Sequence, residues 1–172
     1  RQRADAAVRA HALPAAVVMG QNGRSLPTAV IEDDALTSFD PASDGLDFFE
    51  SLEGMRVQVN DALAVSSTSS YNEVTVVADL GKNASILSAR NVLVLRQDDA
   101  NPERIILDDA FINMPTIRVG ARFTAPIIGI MDYSYGNFKL QPTQKLRFEQ
   151  GKNPEESVSY QLGENELAVA TY

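Results

Sequence analysis

Three pairs of adjacent acidic residues are the first groups in this sequence that could support a chemical function: Asp33-Asp34, Asp98-Asp99 and Asp108-Asp109. Adjacent residues on a strand point to opposite faces of a sheet, so neither of the two later pairs can chelate one ion by itself. Two pairs brought together by the fold could bind a hard cation such as calcium. Solvated loop carboxylates are the alternative interpretation, because buried acids are rare without partners.

The residue types give little basis for covalent catalysis. The only histidine, His11, lies in an Ala- and Arg-rich N-terminal stretch, and the sequence contains no cysteine. No serine lies in a nucleophile elbow, and no glycine-rich loop of the phosphate-binding kind precedes a helix. The lack of cysteine also excludes disulfides and thiolate metal sites. We therefore expect no catalytic residue and no cofactor within this chain.

Aromatic residues beside basic ones form a third candidate, since exposed rings on a small β-barrel can stack on nucleic-acid bases. Tyr133 and Tyr135 flank a predicted hairpin, but strand alternation points both rings into the core, which favours a packing role. Tyr71, Arg90 and Arg96 are then the candidates for an exposed nucleic-acid-binding face.

Net charge argues against strong binding of a polyanion. The chain carries 15 Lys and Arg against 23 Asp and Glu, a formal net charge of −8 with a sequence pI of about 4.6. The basic residues are scattered along the sequence, so they predict no basic stripe for a phosphate backbone. Any binding of DNA by this chain is expected to be weak.

Alternating apolar and polar residues predict the strands that would position these groups. The alternation is clearest over residues 55–60 and recurs over 73–79 and 122–135, as expected for strands with one buried face. Two short apolar runs, 92–95 and 105–107, predict further strands, the first of them buried on both faces.

Turn and capping residues predict the connections. A helix of one or two turns is predicted to begin at Thr28 and reach Phe39, and a second short helix, about 47–53, to end at Gly54. The Gly136-Asn137 pair lies between alternating segments and predicts a two-residue hairpin of type II′. Together these elements predict a mainly β chain, a small Greek-key barrel of the OB type with one or two short helices, with a β-sandwich as the alternative.

Three stretches resemble the middle region of large secreted bacterial nucleases of the endonuclease/exonuclease/phosphatase family. They are residues 44–55 (DGLDFFESLEGM), 101–105 (NPERI) and 132–140 (DYSYGNFKL). A fourth, residues 167–172 (LAVATY), is similar to the first strand of the catalytic domain of those nucleases. In that family the region looks like an OB-type module placed just before the catalytic domain.

The resemblance implies three parts: an N-terminal arm and linker over 1–43, an OB-like barrel over 44–148, and over 149–172 a linker with the first strand of a truncated nuclease domain. It implies a non-catalytic accessory or scaffold module of an extracellular, secreted nuclease. Phosphodiester hydrolysis with Mg²⁺ or Ca²⁺ would belong to the downstream domain. The expected partners are that domain and, weakly, extracellular DNA, with no membrane contact and a monomeric chain. The alternative is an independent extracellular calcium- or glycan-binding β domain.

Overall fold

The computed structural model describes residues 12–152, which form one mixed β-sheet and one short α-helix. In chain order the elements are β1 (Val17–Met19), α1 (Gly45–Glu50), β2 (Arg56–Val59), β3 (Leu63–Ala64), β4 (Val74–Val77), β5 (Ile105–Leu107), β6 (Arg122–Phe123), β7 (Ile127–Ser134), β8 (Asn137–Pro142) and β9 (Phe148–Glu149). A 3₁₀ turn, Asp79–Gly81, follows β4. The order across the sheet is β1-β2-β7-β8-β5-β4-β3-β6-β9, and the sheet curls into a half-barrel. The predicted mainly β, barrel-like fold is confirmed.

Helix α1 forms because Asp44 caps it. The Asp44 carboxylate accepts hydrogen bonds from the backbone N–H groups of Leu46 (2.8 Å) and Asp47 (3.2 Å), which have no partner inside the helix. After the helix, Gly54 adopts a φ of +71°, a conformation that glycine reaches without strain. The short helix predicted in this region is therefore confirmed, at Gly45–Glu50.

Strand β2 shows the predicted alternation. Val57 and Val59 are fully buried, whereas Arg56 and Gln58 are half-buried. The strand pairs in parallel with the edge strand β1 and antiparallel with β7, so both of its edges are hydrogen-bonded. Its buried face belongs to the main hydrophobic core, which also includes Met19, Phe48, Leu52, Val74, Val76, Ile105, Leu107, Ile127, Met131 and Leu140.

The longest hairpin joins β7 to β8, and its turn differs by one residue from the prediction. Ser134 pairs with Asn137, so the two loop residues are Tyr135 and Gly136. Both have positive φ, 51° and 78°, which is the geometry of a type I′ turn. The predicted hairpin is confirmed, but the Gly136-Asn137 type II′ turn is wrong, because Asn137 already belongs to the ladder.

Gly129 lies on β7 at a position where there is no room for a side chain. It pairs with Pro142, and a Cβ atom at this position would lie 2.3 Å from the carbonyl oxygen of Gln141. Any side chain here would therefore push the two strands apart. The single long strand predicted over 122–135 is interrupted between Phe123 and Ile127, where Pro126 cannot donate to a ladder.

The helix predicted from Thr28 to Phe39 is wrong. In its place the chain makes successive turns, because acidic side chains bond the local backbone. Glu32 Oε1 accepts from the N–H groups of Asp34 (2.8 Å) and Leu36 (3.1 Å), and Leu36 has a φ of 62°. Such side-chain bonds compete with the hydrogen bonds of a helix.

The strand predicted over 92–95 is also wrong. Leu95 is 75% exposed, and the pairing in this region is a single isolated bridge between Leu87 and Leu93. Both of those leucines pack against a small second cluster of buried residues, formed by Leu63, Val65 and Val77. The bridge and the packing of these two leucines fix the position of the loop, but they do not make residues 92–95 a strand.

Two regions that carried sequence predictions, residues 1–11 and the strand proposed over 167–171, lie outside the described residues. Within residues 12–152, no helix has the length and apolar character needed to cross a membrane.

Candidate functional site

A buried lysine between two carboxylates lies at the centre of the candidate site. Lys139 on β8 is only 5% exposed, and its ammonium lies 2.5 Å from Glu73 Oε1 and 3.5 Å from Asp108 Oδ2. Strands β4, β5 and β8 are neighbours in the sheet, and Ile106 on β5 pairs directly with Lys139. Glu73 immediately precedes β4 and Asp108 immediately follows β5, so the sheet brings both acids to the same lysine.

Lys139 and Asp108 are both held in their charged forms by their surroundings. The hydrogen bond to Glu73 raises the pKa of Lys139 and outweighs the opposing effect of burial. Burial by itself would raise the pKa of Asp108, but hydrogen bonds from Gln141 and the Asp109 N–H, together with the Lys139 charge, lower it. Lys139 and Asp108 are therefore both ionised throughout the neutral pH range.

A cleft of about 650 Å³ opens above this cluster. Its lining residues are Tyr71, Glu73, Asp108, Asp109, Tyr135, Asn137 and Lys139. Tyr71 is 79% exposed and Tyr135 is 95% exposed, and the Lys139 ammonium lies 5.3 Å from the centre of the Tyr135 ring. Asp109 accepts a hydrogen bond from the Asn72 side chain at 2.8 Å. The cleft thus combines two accessible aromatic rings with carboxylate and amide groups.

The cleft offers aromatic, amide and charged groups. Three carboxylates and one ammonium give it a net negative charge, and among residues 12–152 neither a histidine nor a serine lines it. Within residues 12–152, no group of three or more His, Cys, Asp and Glu side chains could hold a metal ion.

Of the three residues proposed for an exposed binding face, Tyr71 lies in this cleft and the two arginines do not line it. Arg96 pairs with Asp98 at 3.0 Å on the exposed loop that follows Leu95. Arg90 lies exposed in a turn, where its N–H donates to Ser88 Oγ at 3.3 Å. A nucleic-acid role for Tyr71, Arg90 and Arg96 stays a prediction.

Sequence reasoning missed most of the cleft. Tyr133 and Tyr135 were expected to point inward, yet they are 50% and 95% exposed, because the strand alternation ends where the hairpin leaves the core. Lys139 was not singled out from the sequence, and its side chain is buried against Glu73 and Asp108. A positive charge on a central strand, with acids at the ends of two others, is the signal that could have indicated this cluster.

The three stretches that carry the nuclease resemblance meet at a second hollow, of about 170 Å³. Gly45 and Phe49 come from the first stretch, Pro102 from the second, and Asn137 and Phe138 from the third. The Phe49 and Phe138 rings stack with their centres 6.0 Å apart, and a Cβ on Gly45 would lie 2.5 Å from Pro102 Cβ. The three stretches therefore form one packed unit in the fold.

Comparison with known proteins gives one family. Neither the curated proteins nor the solved structures contain a significant match to this chain. A family model described as "Domain of unknown function (DUF8508)" matches residues 18–152, which is most of the chain and includes every strand of the sheet except the first residue of β1. The chain therefore belongs to the family of the domain of unknown function DUF8508.

Proposed function

We propose that this domain is a non-catalytic binding module, and that its ligand is a glycan held in the cleft between Tyr71 and Tyr135. The observation that carries the proposal is the exposure of these two tyrosine rings, 79% and 95%, both of which line a polar hollow. Large exposed aromatic side chains commonly mark binding surfaces, because their faces are apolar and their hydroxyls remain solvated.

The charge of the cleft favours a neutral ligand over nucleic acid. Asp108 and Asp109 line it, and the Lys139 ammonium is already paired with Glu73. Among residues 12–152, no further cation lines the cleft to neutralise a phosphate, and this neutralisation is the dominant electrostatic contribution to nucleic-acid binding. A neutral sugar meets no such repulsion.

The chemistry of a sugar matches the groups present. The apolar C–H face of a pyranose ring can pack against a tyrosine ring, and its hydroxyls can donate to the Asp109 carboxylate or accept from the Asn137 amide. Ligand sites of this kind combine apolar rings with a few polar groups that fix orientation. The ion cluster beneath holds β4, β5 and β8 in place and so keeps the floor of the cleft rigid.

Tyrosine substitutions test the proposal. We expect Tyr135→Ala and Tyr71→Ala each to weaken binding by about tenfold, the loss typical of an aromatic contact at a binding site. Isothermal titration calorimetry with neutral β-1,4-glucan, β-1,4-xylan and α-1,4-glucan hexasaccharides measures the affinity. Phe39→Ala is the matched control, because Phe39 is 63% exposed and does not line the cleft. If none of these glycans binds the folded domain, or if the tyrosine variants bind as the parent does, the proposal is wrong.

We further propose that the domain acts beside a metal-dependent nuclease domain, in an extracellular protein, as an accessory part without activity of its own. The supporting observation is that the three stretches of nuclease resemblance pack into one unit around Phe49 and Phe138. Any Mg²⁺ or Ca²⁺ of that reaction would belong to the neighbouring domain.

A plasmid assay tests this second proposal. We expect the purified domain to leave supercoiled plasmid DNA intact in the presence of Mg²⁺ or Ca²⁺, because no metal-activated water is available to attack a phosphodiester. Agarose gel electrophoresis measures the conversion to nicked and linear forms. Plasmid cleavage that survives further purification and is abolished by EDTA would show that the domain is itself a catalyst.

A further inference from the structure

A third cavity, of about 270 Å³, lies at the end of β4 marked by Val77, whereas the cleft with the two tyrosines lies at the end marked by Glu73. It is formed by the 3₁₀ turn after β4 and by the loops on either side of it in space, with the lining residues Gly20, Ser25, Leu26, Thr28, Val77, Ala78, Asp79, Asn83, Ala84 and Glu103. It shares no residue with the tyrosine-flanked cleft. What this cavity binds therefore does not depend on whether the cleft binds a glycan.

Two buried carboxyl groups line this cavity, and one has an unused oxygen. Asp79 is 6% exposed, and its Oδ2 accepts from the N–H of Gln21 at 2.7 Å. Glu103 is 4% exposed, and its Oε1 accepts from the N–H of Ser85 at 3.1 Å. Within the described residues, no group donates to Glu103 Oε2, an atom with almost no accessible surface. An unpaired buried acceptor is costly, so the Glu103 carboxyl group favours a donor brought by a ligand.

The charges around Glu103 indicate the sign of that ligand. Within residues 12–152, no Lys or Arg lines the cavity. Burial and the neighbouring Asp99 carboxylate raise the pKa of Glu103, and they outweigh the opposite effects of the Ser85 N–H and the Arg104 charge. A cation in the cavity would relieve both effects.

The walls distinguish between kinds of cation. Leu26, Val77, Ala78 and Ala84 give the cavity an apolar side opposite the carboxyl groups. A hydrated Mg²⁺ or Ca²⁺ ion prefers oxygen ligands on all sides and gains nothing from such a wall. An aliphatic chain that ends in an ammonium group can pack its carbons against the apolar wall and donate its N–H groups to the carboxyl groups. The volume equals roughly nine water molecules in the liquid, which suits a chain of four to six carbons.

We propose that this cavity binds a primary alkylammonium ion. Its ammonium group donates to Glu103 Oε2, with Asp79 as the second acceptor, and its carbon chain packs against Leu26 and Val77. Charge-assisted hydrogen bonds of this kind are the strong ones in a site with little solvent. The ammonium comes from a free aliphatic amine or from the side chain of lysine, which present the same chemistry to the cavity.

The test uses n-butylammonium as the probe and 1-butanol as its uncharged counterpart. We expect n-butylammonium at pH 7 to shift the amide NMR signals of residues around the cavity, and 1-butanol to bind at least tenfold more weakly. Glu103→Gln should weaken n-butylammonium binding at least tenfold, whereas Glu149→Gln, at an exposed position, should leave it unchanged. Asp79→Asn provides a second variant if Glu103→Gln does not fold.

Each outcome bears on the proposal. Equal binding of n-butylammonium and 1-butanol would overturn it, and so would parent-like affinity in both folded variants or the absence of any shift at tens of millimolar probe. Calcium binding that displaces n-butylammonium at lower concentration would also overturn it, in favour of a metal site. Nα-acetyl-lysine amide is titrated in parallel, and tighter binding than n-butylammonium would identify lysine as the source of the ammonium group.

Discussion

Replacing Lys139 by methionine is expected to lower the free energy of unfolding by about 3 kcal/mol. Methionine keeps the length of the apolar stem and removes the charge, so Glu73 and Asp108 lose the ammonium that lies 2.5 Å and 3.5 Å away. Removing one partner of a buried ion pair typically costs about 3–5 kcal/mol. We expect a loss at the lower end of this range, because the side chains of Glu73 and Asp108 are still 26% and 17% exposed to solvent. Urea denaturation followed by circular dichroism measures the change.

Two controls separate the charge from the packing at position 139. Lys145→Met, at an exposed lysine, should change stability by less than about 0.5 kcal/mol. The effect of Lys139→Met should also shrink when Glu73→Gln and Asp108→Asn are already present, since no carboxylate is then left unpaired. A loss that is the same in both backgrounds would show that Lys139 stabilises the fold through its stem alone.

The sign of the pKa changes gives a pH dependence for the same variant. The pKa of Asp108 is lowered in the folded protein, so its contribution is present above the unfolded value of about 3.9 and is lost as pH falls through the lower folded value. The pKa of Lys139 is raised, so its contribution persists at neutral pH and is lost only as pH rises through that raised value. The difference in the free energy of unfolding between the parent and Lys139→Met should therefore decrease from pH 7 towards pH 3.

Phe48→Ala is expected to destabilise the domain by about 4 kcal/mol, the middle of the range for a buried phenylalanine. Phe48 is 1% exposed and anchors helix α1 to the main core, with its ring perpendicular to that of Phe49 at 5.3 Å between centres. The guanidinium of Arg24 also lies 5.2 Å from the centre of the Phe48 ring. Truncation removes these contacts and leaves a cavity that a curled sheet can only partly close.

Thermal and urea unfolding of three variants measure this effect. Phe48→Leu should cost less than Phe48→Ala, because it keeps most of the buried apolar volume. Phe39→Ala, at a ring that is 63% exposed, should be close to neutral. A loss below about 1 kcal/mol for Phe48→Ala would mean that α1 contributes little to the core.

The parts of the fold that could be predicted are those in which local pattern and tertiary contact agree. Val57 and Val59 alternate with polar residues, and the sheet buries them as that pattern requires. The glycine at position 136 marked a tight hairpin because few other residues tolerate its φ of 78°.

The predictions that were wrong concern residues that can make more than one kind of interaction. The Glu32 side chain could stabilise the first turn of a helix or accept hydrogen bonds from the local backbone, and in the structure it does the second. Leu95 belongs to a run of strand length but has no neighbouring strand to cover it, and a one-dimensional pattern does not report neighbours.

The candidate site was the least predictable part, because its residues meet only in three dimensions. Lys139 is separated from Glu73 by 66 positions, and the pairing depends on β5 lying between β4 and β8. Of the cleft residues, Tyr71 was selected from sequence as an exposed ring, and Asp108 and Asp109 as one of the acidic pairs. Tyr135 was assigned to the core, because nothing in the alternation shows where a hairpin passes beyond the body of the sheet.

The close approach at Gly129 has a consequence for how the two longest strands find each other. A hairpin whose strands shifted by one position would place Ile128 or Ile130 against the carbonyl of Gln141, where even a single carbon does not fit. Misaligned pairings of β7 with β8 are thus disfavoured by collision as well as by the exposure of apolar groups. Because Gly129 has no side chain, the native alignment of β7 with β8 avoids this collision. The turn at Tyr135-Gly136 then has only to bring the two strands together.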